Sequence, residues 1–340
     1  MWYESIVDRG LIPDWALRII VRQGLNQYKE LVSKLESRQI SELQRDFRSQ
    51  CRIGPIALNT DDSNRQHYGV PAEFFRNFLS GSMKYSGSIW NQNTPGLEEA
   101  DQLTLRTYIR RASIANGQEI LDLGCGWGSL SLQIARTHNN SKVTAVTNSS
   151  QQSAFIEDVI RKEKLHNLKV VKENIIDFYP SQQFDRILSI EMFEHVRNPE
   201  SLLNHILTWM SPKGKLFLQV FSHKHVPQFF DDTQKSWMAR HFFTGGMMPY
   251  AGLYADICGR LSPEDMWSIS GTNYHRTLES WLSQLKQNEQ IAIQQLRAHW
   301  TKARAKTYLN RYRLFLIFCS EMFKYNQGRD WHVMHYLFQN

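Results

Sequence analysis

The run Ile120-Leu-Asp-Leu-Gly-Cys-Gly-Trp-Gly-Ser-Leu130 joins a short apolar strand to a glycine-rich turn and an amphipathic helix, and no other stretch restricts the fold as strongly. Gly124, Gly126 and Gly128 permit positive φ and remove side chains that would stand between main-chain N–H groups and a nucleotide-like ligand. The spacing is G-x-G-x-G. A dinucleotide fold carries G-x-G-x-x-G and an acidic residue closing its second strand. Here the second strand, Lys142–Thr147, runs into Asn148 and Ser149, which disfavours NAD. Taken alone, the turn is equally compatible with a plain tight βα connection.

The rest of the pattern adds to it. A helix over 150–164 is followed by a third strand at 168–171, a fourth at 184–190 and a fifth at 214–220. Such alternation predicts a mostly parallel sheet covered on both faces, with ligands at the carboxyl ends of the strands. Asp122, the glycines, Asn148, Asn174 and Glu191 fall at or near those ends. Residues 1–80 read as a helical extension, with apolar residues such as Leu17, Ile20, Val21 and Leu25 at helical spacing, and 81–225 as the Rossmann-like core. From 226 to 340 the chain reads as a helical insertion, a strand at 266–270, two long helices and a last strand at 331–338.

At this point the chain resembles the S-adenosylmethionine-dependent methyltransferases, and within them the plant-type coclaurine N-methyltransferases and the related cyclopropane-fatty-acid synthases. The motifs are Met83-Lys-Tyr-Ser86, Leu97-Glu-Glu-Ala100, Leu121-Asp-Leu-Gly-Cys-Gly-Trp-Gly128, Thr147-Asn-Ser149 with Gln152, Glu191-Met-Phe-Glu-His195, Trp237-Met-Ala-Arg-His-Phe-Phe-Thr-Gly-Gly246, and Tyr274-His275 before Trp281-Leu282. The segment 237–246 is the part most similar to the alkaloid enzymes. The resemblance implies a class I methyltransferase α/β fold with one antiparallel edge strand, in which the N-terminal helices cover the cofactor and help form the substrate pocket. It also implies S-adenosylmethionine as cofactor and S-adenosylhomocysteine as product.

Each part of that cofactor has candidate partners. The Gly124–Gly126–Gly128 turn and Asp122 suit the methionine end, with Tyr85 and Ser86 added by resemblance; Asn148 and Gln152 suit the ribose, Asn174 and Ile175 bracket the adenine, and Thr147, in the motif with Asn148, is a further cofactor-binding candidate. For Asn148 a polar turn, and for Gln152 a helix surface, remain alternative readings. Glu191, Glu194 and His195 lie just beyond an apolar strand. A protonated amine has no lone pair, so an N-methyltransferase must bind the cation and remove a proton; a carboxylate suits the first task and an imidazole the second. A capping acid with a core histidine is the rival reading. His223 is a second candidate proton acceptor or pocket wall. No zinc-type spacing supports a metal site.

Composition sets the bounds. The chain has 340 residues, 41% hydrophobic, with net charge +7 and four cysteines without C-x-x-C pairing. Its basic residues are scattered, which predicts a solvated surface rather than a nucleic-acid partner. The expected partner is a small amine, with membrane contact only if the acceptor is a lipid, and with a homodimer left open. The longest apolar run, Leu314-Phe-Leu-Ile-Phe-Cys319, is too short to span a bilayer, and a cytoplasmic protein is expected. Against the cyclopropane synthases, which resemble a pattern with cysteine at the Gly87 position and glycine at the Glu191 position, this chain favours methylation of an alkaloid-like or aromatic amine. Methylene transfer to an unsaturated phospholipid is the alternative, and a non-catalytic cofactor-binding protein a third class.

Overall fold

The computed structural model describes residues 4–57, 70–231 and 236–340. Its centre is a seven-stranded sheet of order β3-β2-β1-β4-β5-β9-β8. The strands are β1 (Glu119–Leu123), β2 (Lys142–Thr147), β3 (Leu168–Lys172), β4 (Phe184–Ile190), β5 (Met210–His223), β8 (Ser262–Ser270) and β9 (Trp331–Gln339); β6 (Gln228–Phe229) and β7 (Met247–Met248) form a separate pair. β1 to β5 pair in parallel. The middle strands read as apolar runs because both faces are covered: Ile120, Leu121, Leu123, Ile187 and Leu188 are fully buried.

β9 runs antiparallel to both β5 and β8. The one antiparallel strand therefore lies a place inside the edge, and β8 forms the edge itself. That edge carries Pro263, Glu264 and Asp265 and is mostly exposed, the composition that protects an unpaired strand from further pairing. Two strands are longer than their apolar patterns predict. β5 starts at Met210 because the chain crosses an irregularity opposite Phe184–Arg186 before reaching Gly214. β8 starts at Ser262 through a register shift at Pro263 and Asp265.

Helices Leu97–Arg111, Ser129–Thr137, Ser150–Glu163 and Pro199–Trp209 cover the sheet. After β8 come three helices rather than two long ones, Gly271–Gln287, Glu289–Arg297 and Lys302–Lys324. The last of these receives the N-terminal helix Asp14–Ser33: Leu17, Val21 and Leu25 share an apolar cluster with Leu309, Tyr312 and Leu316. Half-buried Arg18 donates to Glu321 at 2.7 Å, and Arg22 adds a second contact at 2.6 Å. The helices Asp14–Ser33 and Lys302–Lys324 thus pack against each other through an apolar face and two ion pairs. No helix among the described residues is long and apolar enough to cross a membrane.

Candidate active site

β1 delivers Asp122 and the glycine turn to the carboxyl edge. Gly124, Gly126 and Gly128 all have positive φ, of 76°, 55° and 79°. A Cβ on Gly124 would stand 2.6 Å from Met192 Cγ, and one on Gly128 would stand 2.8 Å from Ile156 Cγ1, whereas at Gly126 it would meet nothing within 4 Å. Gly124 and Gly126 face the cavity. Gly128 is not in the lining: it caps the helix Ser129–Thr137 and lets it pack on Ile156. The N–H groups of Gly124 and Cys125 donate to Val146 O at 3.0 and 2.9 Å, pinning the turn to β2. What the turn offers a ligand then comes from Gly126 and Trp127.

A cavity of about 160 Å³ opens at this edge. Tyr85, Ser86, Asp122, Thr147, Asn148, Gln152, Ile175, Glu191 and His195 all line it, so residues spread over more than 100 positions are brought together. Thr147 donates to Gln152 Oε1 at 2.6 Å, which turns the Gln152 amide nitrogen away from Thr147. That buried Nε2, and the buried indole Nε1 of Trp127, have no hydrogen-bond partner among the described residues. A buried donor without a partner is costly, and a ligand with ribose and carboxylate oxygens would satisfy both. Asp122 accepts from Ser131 Oγ, and burial raises its carboxyl to about 6; a cationic ligand group beside it would offset that burial. The cavity lining carries Asp122, Glu173 and Glu191 and, among the described residues, no lysine or arginine. A protein of net charge +7 thus presents an acidic cavity, which fits a sulfonium cofactor and a cationic acceptor.

Glu191 directly follows β4 and lies in the left-handed region, with φ of 50°. Its Oε1 accepts from Gly87 N at 3.0 Å and Gln219 Nε2 at 2.8 Å, and its Oε2 accepts from Tyr274 Oη at 2.7 Å. Burial raises its pKa, opposed by the nearby Lys84 ammonium and by these three donors. Fully buried Lys84 fixes the strap that carries Gly87, donating to Ser86 O at 2.9 Å, Gly87 O at 2.6 Å and Ser88 Oγ at 3.1 Å. Gly87 has no room for a side chain, since a Cβ would lie 2.9 Å from Cγ and Cδ1 of Tyr274. His195 lines the same cavity, its ring set edge-on to Phe243 with centroids 4.8 Å apart.

Three more expected site residues lie outside the cavity lining. Glu194 points inward from the short 3-10 turn: it is completely buried, its Oε1 accepts from Phe221 N at 2.7 Å, and burial next to Glu191 raises its pKa well above the usual carboxylate range. Its carboxyl ties this turn to the backbone of β5 and stands outside the cavity lining. His223 is the last residue of β5; its Nδ1 accepts from His225 N at 3.1 Å and Val226 N at 2.8 Å, and its ring packs on Trp331 and Tyr28. It caps a turn and does not line the cavity. Asn174 accepts from Ile176 N at 3.2 Å, and its neighbour Glu173 lines the cavity instead. Phe242 and the β9 aromatics pack in the interior.

Reading the sequence missed Gln219, Lys84 and Tyr274 as partners of Glu191, and Trp127 and Glu173 as cavity residues. Gln219 had one signal: it is the single polar residue in the apolar run Leu216-Phe-Leu-Gln-Val220.

A parallel sheet with one reversed strand, opening at its carboxyl edge on an acidic cavity behind a G-x-G-x-G turn, defines an S-adenosylmethionine-dependent methyltransferase. The comparisons agree. The chain belongs to the mycolic acid cyclopropane synthetase family, whose model matches residues 58–333. It is 32% identical to the (S)-coclaurine N-methyltransferase of Thalictrum flavum subsp. glaucum, over 98% of this chain and 94% of that one. It is 27% identical to the cyclopropane-fatty-acyl-phospholipid synthase of Escherichia coli (strain K12), over 71% of this chain and 63% of that one. The crystal structure of a coclaurine N-methyltransferase bound to N-methylheliamine and SAH superposes with a TM-score of 0.94 at 30% identity, covering 99% of this chain and 98% of the other.

Proposed function

We propose that the enzyme methylates the nitrogen of an alkaloid-like amine, with Glu191 holding the substrate ammonium and His195 accepting its proton. The observation that carries this is the Glu191 carboxylate, fixed at the cavity wall by Gly87 N, Gln219 Nε2 and Tyr274 Oη. Three donors leave about one of a carboxylate's four acceptor positions open to an incoming N–H. Those donors are already used by the chain's own carboxylate, and a further anion beside it would be repelled. The full-length similarity to N-methyltransferases supports the same reading, and the shorter match to a lipid enzyme supports its rival less.

S-adenosylmethionine supplies the electrophilic methyl group. Asp122, Gln152, Thr147, Asn148, Ile175, Trp127, Tyr85 and Ser86 would hold it, and the segments up to 80 and beyond 225 would shape the acceptor end. Glu191 offsets the substrate's positive charge and orients its nitrogen, and His195, in the lining of the same cavity, removes the proton that hides the lone pair. With a diffusible amine as acceptor, the reading requires no membrane or nucleic-acid partner, fits a cytoplasmic enzyme, and accommodates a monomer or a homodimer.

The test is incubation of the purified protein with methyl-labelled S-adenosylmethionine, a panel of alkaloid amines, and unsaturated phospholipid vesicles. Labelled N-methyl product is expected, with Glu191→Gln raising the amine KM and His195→Ala lowering kcat by about 10²-fold. Cyclopropane product with no turnover of any amine would overturn the proposal.

A further inference from the structure

A second set of residues, none of them in the cavity lining, is connected to Glu191 by hydrogen bonds that can run in one direction only. Arg111, the last residue of helix Leu97–Arg111, places Nη1 2.7 Å from His335 Nδ1. His335 Nε2 lies 2.7 Å from Gln219 Oε1, and Gln219 Nε2 donates to Glu191 Oε1 at 2.8 Å. Gln219 on β5 and His335 on β9 are a cross-strand pair, and His335 also pairs with Trp267 of β8, over whose ring the Arg111 guanidinium lies at 4.6 Å. Gln219 and His335 are essentially inaccessible to water.

The polarity follows from chemistry. A guanidinium only donates, so His335 Nδ1 must be a bare acceptor and the ring proton must sit on Nε2. Nε2–H then donates to the Gln219 carbonyl oxygen, and the amide is left with its nitrogen facing the carboxylate. Reverse either of the last two links, and Gln219 would turn an oxygen lone pair toward Glu191. An imidazole or amide anchored at neither end has two orientations of similar energy; ionised Glu191, which only accepts, sets this one from the far end, and the arginine keeps it when that carboxyl is protonated.

We propose that Arg111 is a positioning residue that acts through His335 and Gln219: by fixing the imidazole tautomer and the amide orientation, it keeps a hydrogen-bond donor permanently aimed at Glu191. The proposal rests on reading Glu191 as the carboxylate that binds the acceptor. Burial and Arg111 hold His335 well below the usual histidine range, in keeping with a neutral ring. The other groups that act on Glu191, or that it acts on, are Lys84, Tyr274, Glu194, Tyr108 and Cys319, and all of them are left unchanged by the test.

The experiment uses full-length, ¹⁵N-histidine-labelled enzyme, with the His335 resonances assigned by their loss in His335→Gln. Wild-type His335 is expected to show Nε2 protonated and Nδ1 bare, a result that does not depend on Arg111→Met. In Arg111→Met, the tautomer is expected to become mixed or reversed on the acidic side of the limb, where protonated Glu191 can donate to a flipped Gln219 amide. The acidic limb of the kcat/KM profile should then rise by about one pH unit, the scale of one lost donor to a carboxylate, so that activity on that limb falls about tenfold. Cofactor affinity should hold, and Arg111→Lys should restore both signals. A protonated Nδ1 in the wild type overturns the proposal, as does a limb that moves in Arg111→Met while the tautomer stays. If Glu191→Gln is fully active on the amine, it is the parent reading of Glu191 that fails, and the tautomer result shows this separately.

Discussion

Tyr274→Phe isolates one donor of the Glu191 site with little else disturbed. The ring is stacked on Phe323, with centroids 4.4 Å apart and planes 24° off parallel, and it fills the space that Gly87 leaves open. Phenylalanine keeps both contacts and removes only the hydroxyl that donates to Glu191 Oε2 at 2.7 Å. A hydrogen bond to an ionised group contributes about 1.5–3 kcal/mol, which corresponds to ~1–2 pKa units on the carboxylate. The sign is fixed by the site: burial already raises Glu191, Tyr274 opposes that rise, and losing Tyr274 raises it further. Activity that needs the ionised carboxylate is then lost over a wider acid range. The acidic limb of kcat/KM for the amine should rise by about 1–2 pH units, with cofactor affinity hardly changed and the melting temperature at neutral pH lowered by a few degrees. The measurement is a pH series of steady-state kinetics, with calorimetric titration of S-adenosylhomocysteine as control. An unmoved limb with an unchanged amine KM would refute the idea that Glu191 acts as a donor-stabilised anion.

Gly87→Ala should act on the same pair from the other side: its Cβ would overlap the Tyr274 ring, costing about 1–3 kcal/mol of stability as overpacking does and lowering amine turnover, as read by thermal melts and kinetics. Asp122→Asn should stabilise the cofactor-free enzyme at pH 8 by up to about 3 kcal/mol while weakening cofactor binding. Because burial raises Asp122 to about 6, wild-type stability carries a decline from roughly pH 4 to pH 6, and denaturant melts of the variant across that window should lack it. His223→Asn should keep near wild-type turnover, since the amide oxygen can accept from the N–H groups of His225 and Val226. Burial lowers His223 to about 4, so its contribution to stability is present above its unfolded pKa and lost as pH falls toward 4; the variant should show a shallower acid slope in melts at pH 7 and 5.

Everything that depends on near neighbours in the chain was legible in the sequence. The apolar runs of β1, β2 and β4, the glycine turn with its positive φ, and the alternation that makes a parallel sheet all follow from periodicity and backbone sterics over a few residues. So did the clustering of Asp122, Asn148, Gln152, Ile175 and Glu191, because parallel strands bring their carboxyl ends to one edge. Tertiary structure decided which polar side chains in that region face the cavity. Glu191 and Glu194 are three positions apart and chemically identical. Yet the left-handed backbone at Glu191 and the 3-10 turn after it send one to the cavity wall and the other to the backbone of β5. His223 was drawn inward by two N–H groups of the turn it closes. The partners of Glu191 come from positions 87, 219 and 274; Gln219 stands out as a polar residue in an apolar run, but nothing local says what any of the three pairs with. A buried carboxylate is tolerated only where donors converge on it, and that convergence is a property of the sheet register and helix packing, not of any short segment.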